Sequence, residues 1–167
     1  MFDVYSYDPT ALIGPTMVLL IWGAALLACI VGYVITSIAN TRVLKYFNHS
    51  RPWGAWVPVY SLVCLTECMT EEDGKIDAFF SKIPKKYFIY WPVAVVAANI
   101  MIPYFGTYLG TFVVTFFGAV VYKDLLSQES GQEEIALGII SALFSIVWII
   151  IAFIRFKGQH PIDVVEY

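Results

Sequence analysis

Charge is scarce in this chain. Only 14% of its 167 residues are Asp, Glu, Lys or Arg, against about a quarter in soluble domains. The few charges sum to -3 and the pI is near 5.3, which offers nothing to phosphates and excludes a nucleic-acid binder. Cysteine is nearly absent too. Three residues, an odd number in apolar surroundings, exclude a small disulfide scaffold. Cys64 and Cys68 form C-x-x-x-C, which puts both thiols on one helical face but suits neither a C-x-x-C redox pair nor a zinc knuckle. They read as small hydrophobes. The histidines, His49 and His160, fall in separate loops. No Ser/His/Asp set, glycine-rich phosphate loop or pair of membrane-embedded carboxylates is present, so no enzyme, metal or cofactor is expected.

What the chain has is apolar bulk: 59% hydrophobic residues, 17% aromatic, and a mean hydropathy of +0.73. That excludes intrinsic disorder and points to one polytopic membrane domain over 1–167, all-α. Four runs read as spans, at about 16–39, 87–102, 107–122 and 135–154. At 1.5 Å per residue the first is long enough for a hydrocarbon core of about 30 Å. Ser37-Ile38-Ala39 and Leu26-Leu27-Ala28-Cys29 resemble cleavage sites, but no basic stretch precedes them, so this run is expected to be a retained helix. Residues 56–69 form an apolar run too short for a comfortable span, read as a re-entrant or interfacial helix. A polar loop follows at 70–86, acidic first and basic later. Pro103 to Gly106 reads as a tight helical hairpin, and 125–134 as a loop broken at Gly131.

Positive charge chooses the orientation. If 56–69 does not cross, Arg42, Lys45, Arg51, Lys75, Lys82, Lys85, Lys86 and Lys123 share one side, and only Arg155 and Lys157 lie opposite. If it crosses, the cations split evenly. The first arrangement gives four spans with both termini outside.

Small residues recur at helical spacing: Ala24, Ala28, Gly32 and Thr36 in the first span, Gly106, Gly110, Thr107, Thr111 and Thr115 in the third, Gly138 and Ala142 in the last. Lipid gives no hydrophobic drive between helices, so close backbone approach at small residues holds such bundles together. These stripes serve either packing within the chain or a partner protein. Intramembrane polar groups are functional flags by default, and there are two. Asn99 is expected to donate between helices, toward the Thr107 stripe, and Glu67 to sit solvated at the interface. Asn48-His49-Ser50 matches the N-glycosylation pattern, on the side where it would stay unmodified.

Pro58 interrupts the short helix between Trp53, Trp56 and Tyr60, aromatics suited to the headgroup level. This element is expected to form the mouth of a helix hairpin. The run Leu44 to Tyr60, above all its core from Trp53 and Trp56 through Val57-Pro58-Val59 to Tyr60, resembles a family of small, functionally uncharacterised prokaryotic membrane proteins. The likeness extends at the level of pattern over residues 20–157. Ser61 stands where that family carries Asn, and 70–86 is longer and more charged than its linker. The resemblance implies a multi-pass protein of a bacterial cell membrane and brings no catalytic residues.

The expected role is therefore a non-enzymatic accessory or scaffold subunit whose partners are the lipid bilayer and other membrane proteins or a second copy. The alternative is a small channel or transporter component lined by Asn99, Glu67, Thr107, Thr111 and Thr115.

Overall fold

The computed structural model describes residues 10–70 and 74–158, with the backbone alone at 10–13, 15 and 103–109. Asp3, Asp8, Glu71, Glu72, Asp73, His160, Asp163 and Glu166 lie outside the described residues, as do the surroundings of Gly106 and Thr107. The chain divides into two units, Met1–Ile35 and Thr36–Tyr167.

The described part of the first unit is one element, the opening of α1 (Thr10–Tyr46). Its large apolar side chains, Leu19, Leu20, Ile21 and Trp22 among them, are exposed. The helix outruns the expected boundary at 39 because no breaker follows. It ends where Asn48 turns left-handed (φ 52), with His49 N–H bonded to the Leu44 carbonyl at 2.9 Å and Asn48 N–H to that of Lys45 at 3.1 Å. These are the two bonds of a Schellman ending.

In the second unit, Pro52 opens a 3₁₀ turn (Pro52–Trp56), and α2 (Tyr60–Glu67) follows. The join is sharp: Val59 takes φ 66 and ψ -51, and Tyr60 N–H bonds to the Pro58 carbonyl at 2.7 Å. Such γ-turns are strained, above all at a β-branched residue. The expected polar loop at 70–86 contains an antiparallel hairpin, β1 (Lys75–Ala78) and β2 (Ser81–Pro84), the departure from an otherwise all-α chain. Ile76 and Ala78 are buried while Lys75 and Asp77 face out, the period of two that a half-buried strand requires. Asp77 pairs with Lys82 across the register, and the turn is Phe79-Phe80, with Phe79 at φ 48.

The expected span at 87–102 is covered by α3 (Lys85–Phe88) and the 11-residue α4 (Trp91–Met101). A single non-helical residue, Ile102 (φ -134, ψ 74), separates α4 from α5 (Pro103–Ser130). Pro103 holds its predecessor out of the helical region and itself suits the first helical turn, so the four-residue hairpin expected at Pro103 to Gly106 is not needed. α5 runs on through buried Leu125 and Leu126 to Gly131 at φ 69, so most of the loop expected at 125–134 is helix.

The last apolar run is broken in the middle. α6 (Ile135–Leu143) and α7 (Ser145–Ile154) meet at Phe144, which is extended. Arg155, just past α7, pairs with Glu129 at 2.7 Å and Glu134 at 3.3 Å, beside the start of α6. The two helices therefore leave and return to the same end of α5. Arg42 over the Phe153 ring and Tyr46 against Phe156 put the close of α1 there as well. Among the described residues, two helices are long and apolar enough to cross a membrane, over Thr16–Tyr46 and Gly110–Ser130. The four-span expectation meets two shorter arrangements at 87–102 and 135–154.

The core of this unit joins Val43 and Leu44 of α1, Leu65 of α2, Ile76 of β1, Val120, Val121 and Leu125 of α5, and Trp148 of α7. Trp148 stacks on Tyr122 with centroids 4.1 Å apart and donates its indole N–H to Asn40 Oδ1 at 2.9 Å.

Candidate functional site

The Schellman ending of α1 and the γ-turn before α2 bring His49 and Glu67 together, with Nε2 to Oε2 at 2.8 Å. Arg51 N–H donates to His49 Nδ1 at 3.1 Å, and its guanidinium donates to the Tyr60 hydroxyl at 3.0 Å. Trp53 lies 5.9 Å from Tyr60, ring to ring. A Cβ on Gly54 would stand 2.7 Å from Cys64 Sγ and 2.8 Å from Tyr60, so those side chains would have to shift to admit one. The Trp53 to Tyr60 element thus folds onto α2 as a clasp, with Trp53 and Trp56 exposed, and Glu67 is partnered rather than simply solvated.

His49, set aside in sequence as a distant loop residue, completes a trio with Cys64 and Glu67 whose ligand atoms lie within 4.8 Å of one another. Nitrogen, thiolate and carboxylate would suit zinc by donor type. The protons say otherwise. A backbone N–H can only donate, so Nδ1 accepts from Arg51, the neutral ring carries its proton on Nε2, and Nε2 donates to Glu67. Neither ring nitrogen turns a lone pair toward the thiol. Burial also raises the Cys64 thiol above its ordinary value and pushes Cys68 up to about 12, so a metal would have to displace the Cys64 proton. The trio is a hydrogen-bonded tie between α1 and α2.

The small residues separate into two groups. A Cβ on Gly110 would collide with the Asn99 carboxamide, and one on Gly138 would stand 2.7 Å from the Lys123 main chain. At Gly118 it would meet Ala142 at an ordinary 3.8 Å. These positions pack α4 and α6 against α5. Ala24, Ala28 and Gly32 are exposed on α1. Among the described residues Asn99 donates to its own helix, to the Val95 carbonyl at 2.9 Å, and Thr115 likewise donates to the Thr111 carbonyl, while the Thr107 side chain that Asn99 is expected to meet lies outside the described residues. A short polar side chain on a helix reaches the carbonyl one turn back more readily than a neighbouring helix.

In the sequence Lys123 reads as the end of a span. It is buried, with Nζ 3.2 Å from Asp77 and 3.7 Å from Glu133, and 5.2 Å above the Phe79 ring. Next to it, Asp124 accepts from Thr70 N–H at 2.9 Å and from Gln128. These groups floor a polar cleft of about 530 Å³ between the hairpin and α5. An apolar notch of about 310 Å³ lies beside it, walled by Phe79, Phe80, Phe112, Phe116, Ile139 and Leu143. The adjacent charges Lys123 and Asp124, following an apolar run, are the signal available in sequence. No family model, curated protein or solved structure matches this chain.

Proposed function

We propose that this chain is a multi-pass protein of a bacterial cell membrane, serving as a non-enzymatic accessory or scaffold subunit through helix–helix contacts. In this reading α1, the segment of α3 and α4, and α5 cross the bilayer, while α6 and α7 dip in and return. Each of those last two helices is about 15 Å long, half a hydrocarbon core. The pairing of Arg155 with Glu129 and Glu134 supports this path. All 10 Lys and Arg residues then fall on one face, a stronger positive-inside bias than four spans allow. The N-terminus lies outside and the tail inside, which reverses the sequence-based expectation for the tail. A cysteine replacing Lys157 tests it: a membrane-impermeant maleimide should label it only after the cells are opened. Labelling in intact cells overturns the path.

One observation supports contact rather than conduction: the intramembrane polar and small groups singled out in the second unit are already engaged. Asn99 and Thr115 bond to their own helices, Glu67 to His49, and Gly110 and Gly138 are packed within the unit. In the described part of the first unit, Ala24 and Ala28 are exposed on α1 and offer a small-residue face to a partner helix. Photocrosslinking groups placed at Ala24 and Ala28 in native membranes should give discrete adducts, with weaker ones from Leu26. Equal or absent adducts from both faces would defeat the scaffold reading.

A further inference from the structure

The face of α5 toward the hairpin changes character along its length. Phe112, Thr115, Phe116 and Ala119 line the apolar notch, and the next turns, Lys123, Asp124 and Ser127, line the polar cleft. The hairpin walls both, with Phe79 and Phe80 at the notch and Lys75, Asp77 and Lys82 at the cleft. Lys123 marks the seam, its ammonium held by Asp77 above the Phe79 ring. The two hollows have separate linings and follow one another along this face of α5, together a slot greasy at one end and charged at the other. Each falls in or near the range typical of small-molecule sites. Phe80 is 89% exposed at the hairpin tip, yet stacks on Phe116 with the rings only 7° apart. Such a ring is costly in water and at home beside acyl chains.

The charges choose among amphiphiles. Among the described residues the cleft carries Lys75, Lys82 and Lys123 against Asp77, Asp124 and Glu133. A purely anionic headgroup would meet those carboxylates as well as the lysines. A headgroup bearing both phosphate and a primary ammonium complements both signs. We infer that this slot binds an aminophospholipid, with an acyl chain in the notch, the phosphate toward Lys75 and Lys82, and the ammonium toward Asp77 and Glu133. The inference rests on the membrane reading above, because the bilayer supplies the ligand.

The full chain, delipidated in detergent and offered phosphatidylethanolamine, phosphatidylcholine or phosphatidylglycerol in mixed micelles, provides the test by native mass spectrometry. Phosphatidylethanolamine should be retained about tenfold better than either of the others, a preference of about 1.4 kcal/mol. Lys75→Glu, at an exposed strand position, and Thr115→Phe, which fills the notch, should each abolish that preference with the melting temperature unchanged. Equal retention of the three lipids, a preference for phosphatidylglycerol, or variants that retain lipid as before would each overturn the inference. Carbonate extraction of cell membranes reads the membrane assignment separately: a chain that stays with the membrane but shows no lipid preference defeats the slot alone.

Discussion

Gly138 lies directly on the main chain of Lys123, so that a methyl group at that position would stand 2.7 Å from the Lys123 nitrogen and Cα. Backbone cannot swing aside as a flexible side chain can, and α6 would have to lift from α5. Gly138→Ala should lose about 1–3 kcal/mol, the usual cost of overpacking, despite alanine's better helix propensity. Gly118→Ala should be tolerated, since its nearest contact is 3.8 Å away. Thermal unfolding of both variants in one detergent decides the matter, and equal melting temperatures would show that the crossing is not tight.

The His49 and Glu67 tie makes two separate statements. Glu67→Leu leaves the Nε2–H of a mostly buried imidazole facing no acceptor, whereas Glu67→Gln keeps one. The first should cost about 1 kcal/mol, discounted from the value for buried charged hydrogen bonds because Glu67 is partly exposed, and the second less. Because both ring nitrogens are engaged, added zinc should leave the melting temperature of the parent chain unchanged. A zinc-dependent rise that disappears in Cys64→Ser would reverse the proton assignment.

These two sites show what was legible in the residues and what was not. The apolar runs announce their helices, and Gly131 marks the end of α5 as glycine does. The break at Phe144 has neither proline nor glycine, and only the return of Arg155 to Glu129 and Glu134 exposes it. The hairpin hides for a related reason: Ile76, Ala78 and Ile83 alternate correctly, but Phe79-Phe80 carries none of the Gly, Asn or Asp that tight turns favour. His49 and Glu67 meet across 18 positions, through a Schellman ending and a strained Val59. No local pattern encodes that distance. Lys123 reads as the boundary of a span until β1 supplies Asp77 to hold it.

Asn40 and Trp148 form a buried polar contact between α1 and α7. Asn40→Ala leaves the indole N–H unpaired in the core and should cost about 1–3 kcal/mol. Trp148→Phe removes the donor but strands the Asn40 oxygen and thins the stack on Tyr122. If the contact is a genuine pair, the double variant should cost less than the sum of the two single ones. Strict additivity in chemical unfolding would mean that the two residues act independently.

Cys68 supplies the pH-dependent prediction. Burial is the main reason its thiol rises from 9.0 to about 12, with Cys64 and Glu67 adding to it and Lys85 opposing. The thiolate is the nucleophile in alkylation, so in a Cys29→Ser chain iodoacetamide should leave Cys68 unmodified at pH 8 to 9 while the fold persists. The sign for stability follows from linkage. The folded state favours the neutral thiol, so this contribution is whole below pH 9 and is lost as the pH rises toward about 12. Melting temperatures should fall across that window, and less so in Cys68→Ala. Alkylation of the folded chain with a midpoint near pH 9, read by peptide mass spectrometry, would show that Cys68 is open to solvent and that the contact of the Gln128 amide with the Cys68 carbonyl does not keep this corner closed.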